Sequence, residues 1–210
     1  MVEYHRNKVN LMYEAIIEKI KERLSARDLK VVIIPHISPD GDAVGSCSAL
    51  WQGLDKVGIR AQLMTCDYIP DYLRWLKRIP DAISFQNRSK ECRHWLREAD
   101  VLFMLDHNTV SREGDLEPLV KEFKGDVIMI DHHPDPDDVT YRISDTSVSS
   151  TCELLYNVIS GVWGKEIIAV RGNECTIFNI KGNILFQGEL EGDSIETIVP
   201  AKGWRTYHVV

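Results

Sequence analysis

Residues 30–46 have the sequence Lys-Val-Val-Ile-Ile-Pro-His-Ile-Ser-Pro-Asp-Gly-Asp-Ala-Val-Gly-Ser. The four consecutive β-branched residues Val31–Ile34 favour a strand, Lys30–Pro35, that is buried on both faces of a parallel sheet. The polar segment His36–Asp42 is predicted to be a loop, and Ala43–Val57 a helix. A buried strand followed by a loop and a helix is the repeating unit of an α/β fold.

The alternation of strand and helix continues on both sides of this stretch. An amphipathic helix is predicted for Tyr4–Leu24, where apolar residues recur three or four positions apart among charged ones. Further strands are predicted at Arg60–Thr65, Val101–Leu105 and Val127–Ile130, and further helices at Lys90–Glu98, Leu116–Phe123 and Ser150–Ile159. This order predicts an α/β fold in which a mainly parallel sheet is flanked by helices.

The pattern changes after Gly161, where short strand candidates are separated by turn sequences that contain glycine. The candidates are Ile167–Val170, Cys175–Ile180, Ile184–Gln187, Ser194–Val199 and Thr206–Val210. We therefore predict one α/β domain over residues 1–163 and a small β-rich domain over residues 164–210.

The net charge, the cysteine spacing and the N-terminal segment indicate which partners and which cellular compartment to expect. The 210 residues carry a formal net charge of −7, which provides no large basic surface for duplex DNA or RNA. The five cysteines form no Cys-x-x-Cys pair, which favours free thiols in a reducing cytosol. The N-terminal segment resembles neither a signal peptide nor a membrane span, so we expect a cytoplasmic protein without a membrane partner.

Three of the predicted strands are each followed directly by side chains that bind metals. These segments are His36–Asp42, Asp106-His107-Asn108 and Asp131-His132-His133. Because ligands of open α/β sheets bind outside the carboxyl ends of the strands, the three clusters are expected to converge on one cleft.

Each cluster alone has a structural explanation: Asp-Gly-Asp is common in turns, an Asp at a strand end often caps a helix, and a His-His pair is often surface. Three such clusters together indicate a metal or catalytic site. Carboxylates with imidazoles and no thiolate favour Mn²⁺, Mg²⁺ or Fe²⁺ over a structural zinc. Two such ions about 3.5–4 Å apart can clamp the attacking and leaving oxygens at phosphorus.

The segments His36–Ser46, Leu105–Arg112 and Ile130–His133 resemble the first three motifs of the DHH phosphoesterase superfamily. Within it, Asp145-Thr-Ser-Val-Ser-Ser-Thr-Cys-Glu153 is similar to the NrnA-like branch, the bifunctional oligoribonucleases and pAp phosphatases. The similarity covers about residues 8–165.

The resemblance implies a two-metal site that uses Mn²⁺ or Mg²⁺. It assigns His36 and Asp40 to the first ion and Asp42 and His132 to the second, and Asp106 would bridge both. Substrates implied by the resemblance are short oligoribonucleotides, linear dinucleotides and pAp, hydrolysed by metal-activated water.

The resemblance also implies roles around the ions. His133 would face the substrate phosphate, and Asp131 would support the site from behind. Arg112 would neutralise phosphate charge, unless it is a solvated surface residue. The segment Ser149-Ser150-Thr151 would offer hydroxyls and backbone N–H groups to a phosphate, unless it only caps the helix. His107 has no implied role and is expected at the rim.

The match fades at Gly164–Ile167, and two features of the superfamily do not occur in these 210 residues. One is an Asp-Thr-Gly motif whose Asp completes the second metal site, and the other is a substrate-capping domain with a Gly-Gly-His motif. The family motifs therefore look truncated, and we expect one bound ion as an alternative to two, with slow and poorly selective turnover. An exposed strand edge would favour self-association, such as a homodimer.

Two other functions remain open at this point. One is a catalytically impaired module that binds nucleotide or metal while the β-rich tail contacts other proteins. The other is an inorganic pyrophosphatase, which shares the Asp-His-His core but needs the absent motifs. The tail weakly resembles the C-terminal sorting domains of type IX secretion, but without an export signal we do not expect secretion.

Overall fold

The computed structural model describes residues 2–163, with side chains from residue 13, and the backbone of five strands between residues 167 and 208. The chain forms two compact units, Met1–Val162 and Trp163–Val210. The division into an incomplete DHH domain and a β-rich domain stays a prediction.

The first unit contains an α/β fold. Its helices are α1 Val2–Leu24, α2 Gly41–Lys56, α3 Phe85–Glu98, α4 Glu117–Lys121 and α5 Thr151–Trp163. Its strands are β1 Lys30–Pro35, β2 Arg60–Thr65, β3 Ile83–Ser84, β4 Val101–Leu105, β5 Asp126–Asp131 and β6 Tyr141–Ser144. Short 3₁₀ helices cover Asp71–Leu73, Ile79–Asp81 and Val110–Leu116.

The six strands form one sheet in the order β3-β2-β1-β4-β5-β6, and every pair is parallel. This confirms the predicted α/β class with a mainly parallel sheet. All strands therefore end at one side of the sheet, here called the carboxyl edge.

Burial on both faces of the sheet explains why β1 and β4 have apolar runs in the sequence. All five residues of β4 are buried, as are the last five of β1. On one face, Val32 and Ile34 pack in a core with residues of α3 and α4. Because side chains alternate along a strand, Val31 and Ile33 lie on the opposite face.

Several bounds differ from the prediction. The strands β3 and β6 were missed, because one has only two residues and the other is short and largely polar. The helix predicted at Leu116–Phe123 is a 3₁₀ helix followed by the short α4, since Pro118 lies in the first turn of α4. Helix α3 begins at Phe85 rather than Lys90 and is kinked at Arg88.

The second unit is β-rich, as predicted. Strands β7 Ile167–Arg171, β8 Glu174–Phe178 and β9 Ile184–Glu189 form an antiparallel sheet, and β10 Ser194–Val199 pairs with β11 Gly203–His208. The strand predicted at Thr206–Val210 begins earlier, and its last two residues lie outside the described residues, as do Asn179 and Ile180 of another predicted strand.

Two expectations from composition can be compared with the structure. None of the helices among the described residues is long and apolar enough to cross a membrane. Cys47, Cys66, Cys92 and Cys152 are free thiols, as predicted, whereas the side chain of Cys175 lies outside the described residues.

The loop after β4 is anchored inside the first unit by a buried pair, His107 and Glu113, both fully inaccessible to solvent. The ring Nδ1 of His107 donates to the carbonyl of Leu105 at 2.9 Å, and Nε2 lies 3.0 Å from Glu113 Oε1. The expectation that His107 lies at the rim is wrong, because these two contacts hold the ring in the interior. Burial raises the pKa of Glu113, although the hydrogen bond to His107 opposes the shift.

Removing this pair should destabilise the fold. We expect Glu113→Ala to lower the free energy of unfolding by about 3 kcal/mol, because a buried imidazole nitrogen loses its partner. Glu113→Gln, whose amide can donate to Nε2, should cost less than about 1 kcal/mol. Urea unfolding followed by tryptophan fluorescence measures both, with the exposed Glu122→Ala as control. If both variants lose the same free energy of unfolding, the hydrogen bond to His107 does not account for the stability of the pair.

Candidate metal centre

The three predicted clusters meet at the carboxyl edge because their strands are adjacent and in register. Pro35 of β1 pairs with Leu105 of β4, and Leu105 pairs with Ile130 of β5. The next residue in each strand direction is His36, Asp106 or Asp131, so the parallel register brings the three side by side.

One group of potential ligands consists of His36, Asp40 and Asp106, whose ligand atoms all lie within 4.8 Å of one another. His36 Nδ1 donates to the carbonyl of Ile37 at 2.7 Å, which leaves Nε2 as the atom facing the carboxylates. His36 Nε2 lies 3.7 Å from Asp106 Oδ2. The nearby Asp106 carboxylate raises the pKa of His36, although burial and the charge of Arg112 oppose the shift.

The second group consists of Asp106, His132 and His133, whose ligand atoms also all lie within 4.8 Å of one another. His132 Nε2 lies 3.6 Å from Asp106 Oδ1 and 3.8 Å from Asp42 Oδ2. Asp106 therefore belongs to both groups, and its two oxygens face different histidines. A carboxylate in this position fits the chemistry of a ligand shared between two cations.

The backbone and a hydroxyl position this shared carboxylate. Asp106 has a left-handed conformation with φ of +64°, which Asp tolerates better than most residues, and its N–H donates to the carbonyl of Ile130 at 3.1 Å. Its side chain is buried, and Thr151 Oγ1 donates to Oδ1 at 2.8 Å. The bond from Thr151 had no sequence signal, because the two residues are far apart in the chain.

Asp131 lies directly behind the second group. Its fully buried carboxylate accepts the backbone N–H of His133 at 2.9 Å and the ring Nδ1–H of His133 at 2.7 Å. These bonds fix the imidazole with Nε2 directed away from Asp131. The geometry is compatible with the supporting role implied for Asp131, and the substrate-facing role of His133 stays a prediction.

Asp42 belongs to the first turn of α2, and its carboxylate contacts the start of α5 and is a member of neither ligand group. Its carboxylate accepts the backbone N–H groups of Thr151 at 2.7 Å and Cys152 at 2.9 Å. Burial tends to raise the pKa of Asp42, but the Cys152 side chain and the backbone N–H groups of Cys152 and Thr151 outweigh it and hold the pKa below its ordinary value. A negative carboxylate at a helix N-terminus is also stabilised by the helix dipole.

The Ser149-Ser150-Thr151 segment forms a helix cap in this structure. Ser149 donates to the Glu153 carboxylate through its backbone N–H at 3.1 Å and its hydroxyl at 2.9 Å. Ser150 Oγ accepts the backbone N–H of Glu153 at 3.1 Å, which is the contact of an N-cap residue. A role for the segment in binding phosphate stays a prediction.

Arg112 and Cys152 complete the surroundings of the site. Arg112 is half-buried, and its carbonyl accepts the N–H of Ile37 at 2.7 Å, which ties its loop to that of His36.

Cys152 was not predicted as a site residue, since a lone cysteine in a helix carries no metal signal. Burial and the nearby Asp42 raise the pKa of Cys152 to about 12, so its thiol stays protonated at neutral pH.

Comparison with known proteins identifies relatives of this chain. The N-terminal domain of the DHH family matches residues 30–177. The bifunctional oligoribonuclease and PAP phosphatase NrnA of Thermus thermophilus is 30% identical over 156 residues, which cover 70% of this chain and 44% of that protein. The crystal structure of an exopolyphosphatase-related protein from Bacteroides fragilis superposes with a TM-score of 0.69 and 32% identity, over 71% of this chain and 44% of the other.

The chain thus spans less than half the length of these two relatives. The match to the family nevertheless includes β1, β4 and β5 and all the Asp and His residues of both ligand groups. On this evidence the chain belongs to the DHH family.

Proposed function

We propose that this protein is a metal-dependent phosphoesterase that hydrolyses short oligoribonucleotides, linear dinucleotides or pAp. The observation that carries the proposal is the position of Asp106, whose two oxygens face His36 on one side and His132 on the other. Water activated by two divalent ions at this carboxylate is the chemistry that best fits such a donor set.

The donor set favours Mn²⁺ or Mg²⁺. In the proposal, His36 and Asp40 hold one ion with Asp106, and His132 and Asp42 hold the other with Asp106. Carboxylate oxygens and imidazole nitrogens suit these cations, whereas burial raises the pKa of the nearby Cys152 and Cys47 thiols and so keeps both protonated at neutral pH. The bound ions would supply a hydroxide nucleophile and neutralise charge on the phosphate.

The protein's own groups orient the phosphate. The buried Asp131 holds His133 by two hydrogen bonds, so Nε2 of the ring would face a phosphate oxygen. Arg112, on the loop bonded to Ile37, supplies positive charge close to His36. Together they would bind the oxygens that do not react.

The proposed substrate class rests on the name of one relative and on the net charge of this chain. The NrnA protein of Thermus thermophilus is named as an oligoribonuclease and PAP phosphatase. A net charge of −7 disfavours a long duplex, whereas a short substrate needs neutralising only at its reacting phosphate. We therefore propose short single-stranded substrates.

A second candidate function is a catalytically impaired module that binds nucleotide or metal or contacts other proteins. The observation that favours it is Asp42, whose carboxylate is held by the N-terminus of α5 and lies outside both ligand groups. A weak second site would bind substrate through one ion but turn it over slowly.

Metal binding tests the shared carboxylate. We expect calorimetric titration with Mn²⁺ to show two ions in the wild type, one in His132→Ala and none in Asp106→Asn. Asp138→Asn is the matched control, because Asp138 is fully exposed and belongs to neither ligand group. A single ion in the wild type would favour the second candidate, and no binding would contradict the proposed phosphoesterase.

Hydrolysis tests the activity itself. We expect the wild type with Mn²⁺ to hydrolyse a diribonucleotide and pAp, and Asp131→Ala/His132→Ala to be at least about 100-fold slower, because the double change removes a ligand and the group that orients His133. Asp138→Asn should match the wild type. Equal turnover by the double variant would refute the proposal, and tight binding without turnover by the wild type would support the second candidate.

A further inference from the structure

Exposed aromatic side chains are concentrated beside the metal centre. Tyr68, Tyr72 and Trp75 are 63%, 69% and 79% exposed. They lie within the aromatic loop, defined here as residues 66–78, which follows β2 at the carboxyl edge. A single exposed apolar residue needs no explanation, but three large aromatic residues within eight positions indicate a binding surface.

The aromatic loop is hydrogen-bonded to the loop that carries the first ligand group. The Asp67 carboxylate accepts the backbone N–H and the hydroxyl of Ser38, each at 3.0 Å. Ser38 lies between His36 and Asp40, two members of that ligand group. The strands that precede the two loops, β1 and β2, are neighbours in the sheet. A substrate whose phosphate is at the metal centre would therefore have its adjoining residues near the aromatic loop.

The surface around the loop is concave and contains arginines. A pocket is lined by Tyr68, Arg74 and Arg88, together with Asn87, whose Oδ1 accepts the Tyr68 hydroxyl at 3.0 Å. Among the residues that the structure describes, Arg74 and Arg88 form ion pairs with acidic neighbours on their own exposed segments, Asp71 and Glu91. Such exposed pairs are worth little, so either guanidinium can turn to a phosphate at small cost.

The local charge differs from that of the whole chain. Residues 66–90 contain five Lys and Arg against three Asp, a net charge of +2, in a chain whose net charge is −7. This basic and aromatic composition complements a single-stranded nucleic acid, which presents phosphates and flat bases. A purely hydrophobic protein contact would not require the arginines.

We infer that the aromatic loop is a base-stacking site for the nucleotides that adjoin the scissile phosphate of a single-stranded oligonucleotide. The inference rests on the proposed function for the identity of the substrate. Tyr72 and Trp75 supply ring faces, and Arg74 and Arg88 supply charge to the neighbouring phosphates. Because every base has a flat face, the site would bind with little base preference.

Binding without turnover tests this site separately from hydrolysis. In EDTA, the anisotropy of a labelled pentaribonucleotide should show about tenfold tighter binding than an abasic pentanucleotide of equal charge. Trp75→Leu should remove this difference, and Trp75→Phe should keep most of it, since only the latter retains a ring face. Val57→Ala, which changes an exposed apolar residue after α2, should behave as the wild type.

Several results would overturn the inference. Equal binding of the normal and abasic oligonucleotides by the wild type would do so, as would a Trp75→Leu variant that still distinguishes them. Loss of self-association in Trp75→Leu, with oligonucleotide binding unchanged, would identify a protein contact instead. If the wild type distinguishes the two oligonucleotides in EDTA but hydrolyses neither with Mn²⁺, the stacking site stands and the proposed hydrolytic function fails.

Discussion

The Asp106 carboxylate is buried between two histidines, with Oδ2 3.7 Å from His36 and Oδ1 3.6 Å from His132. Burying a charge costs free energy unless partners compensate, and the hydroxyl of Thr151 compensates only in part. Two divalent cations would offset that cost fully, because they would be the largest local charges in the site. The surrounding architecture, including the left-handed backbone at Asp106, holds this one carboxylate between the two ligand groups.

Much of this architecture could be predicted from sequence, for a physical reason. A central parallel strand is buried on both faces, so β1 and β4 appear as apolar runs. Their predicted bounds agree with the structure, as do those of β2. Residues that follow such strands must lie at the carboxyl edge. His36, Asp106 and Asp131 could therefore be placed together without knowledge of any side-chain contact.

The contacts that modify the site could not be predicted in the same way. Asp42 bonds to Thr151, 109 positions later, and Asp106 to the same residue 45 positions later. Nothing in the local pattern of either segment specifies the partner, because the pairing arises only when α5 packs at the carboxyl edge. His107 was misplaced for a related reason: its buried partner, Glu113, lies in a 3₁₀ helix that was not predicted.

Asp42 decides how the two candidate functions compare. A carboxylate has about four lone-pair positions, so two N–H bonds from the start of α5 leave capacity for a metal ion. The same bonds keep Asp42 ionised, which a metal ligand requires, and Oδ2 already lies 3.8 Å from His132 Nε2. Helix α5 can therefore be understood as the element that fixes Asp42 in orientation rather than one that withdraws it from the site. The proposed two-ion phosphoesterase requires such a ligand, ionised and oriented towards His132, whereas an impaired module does not.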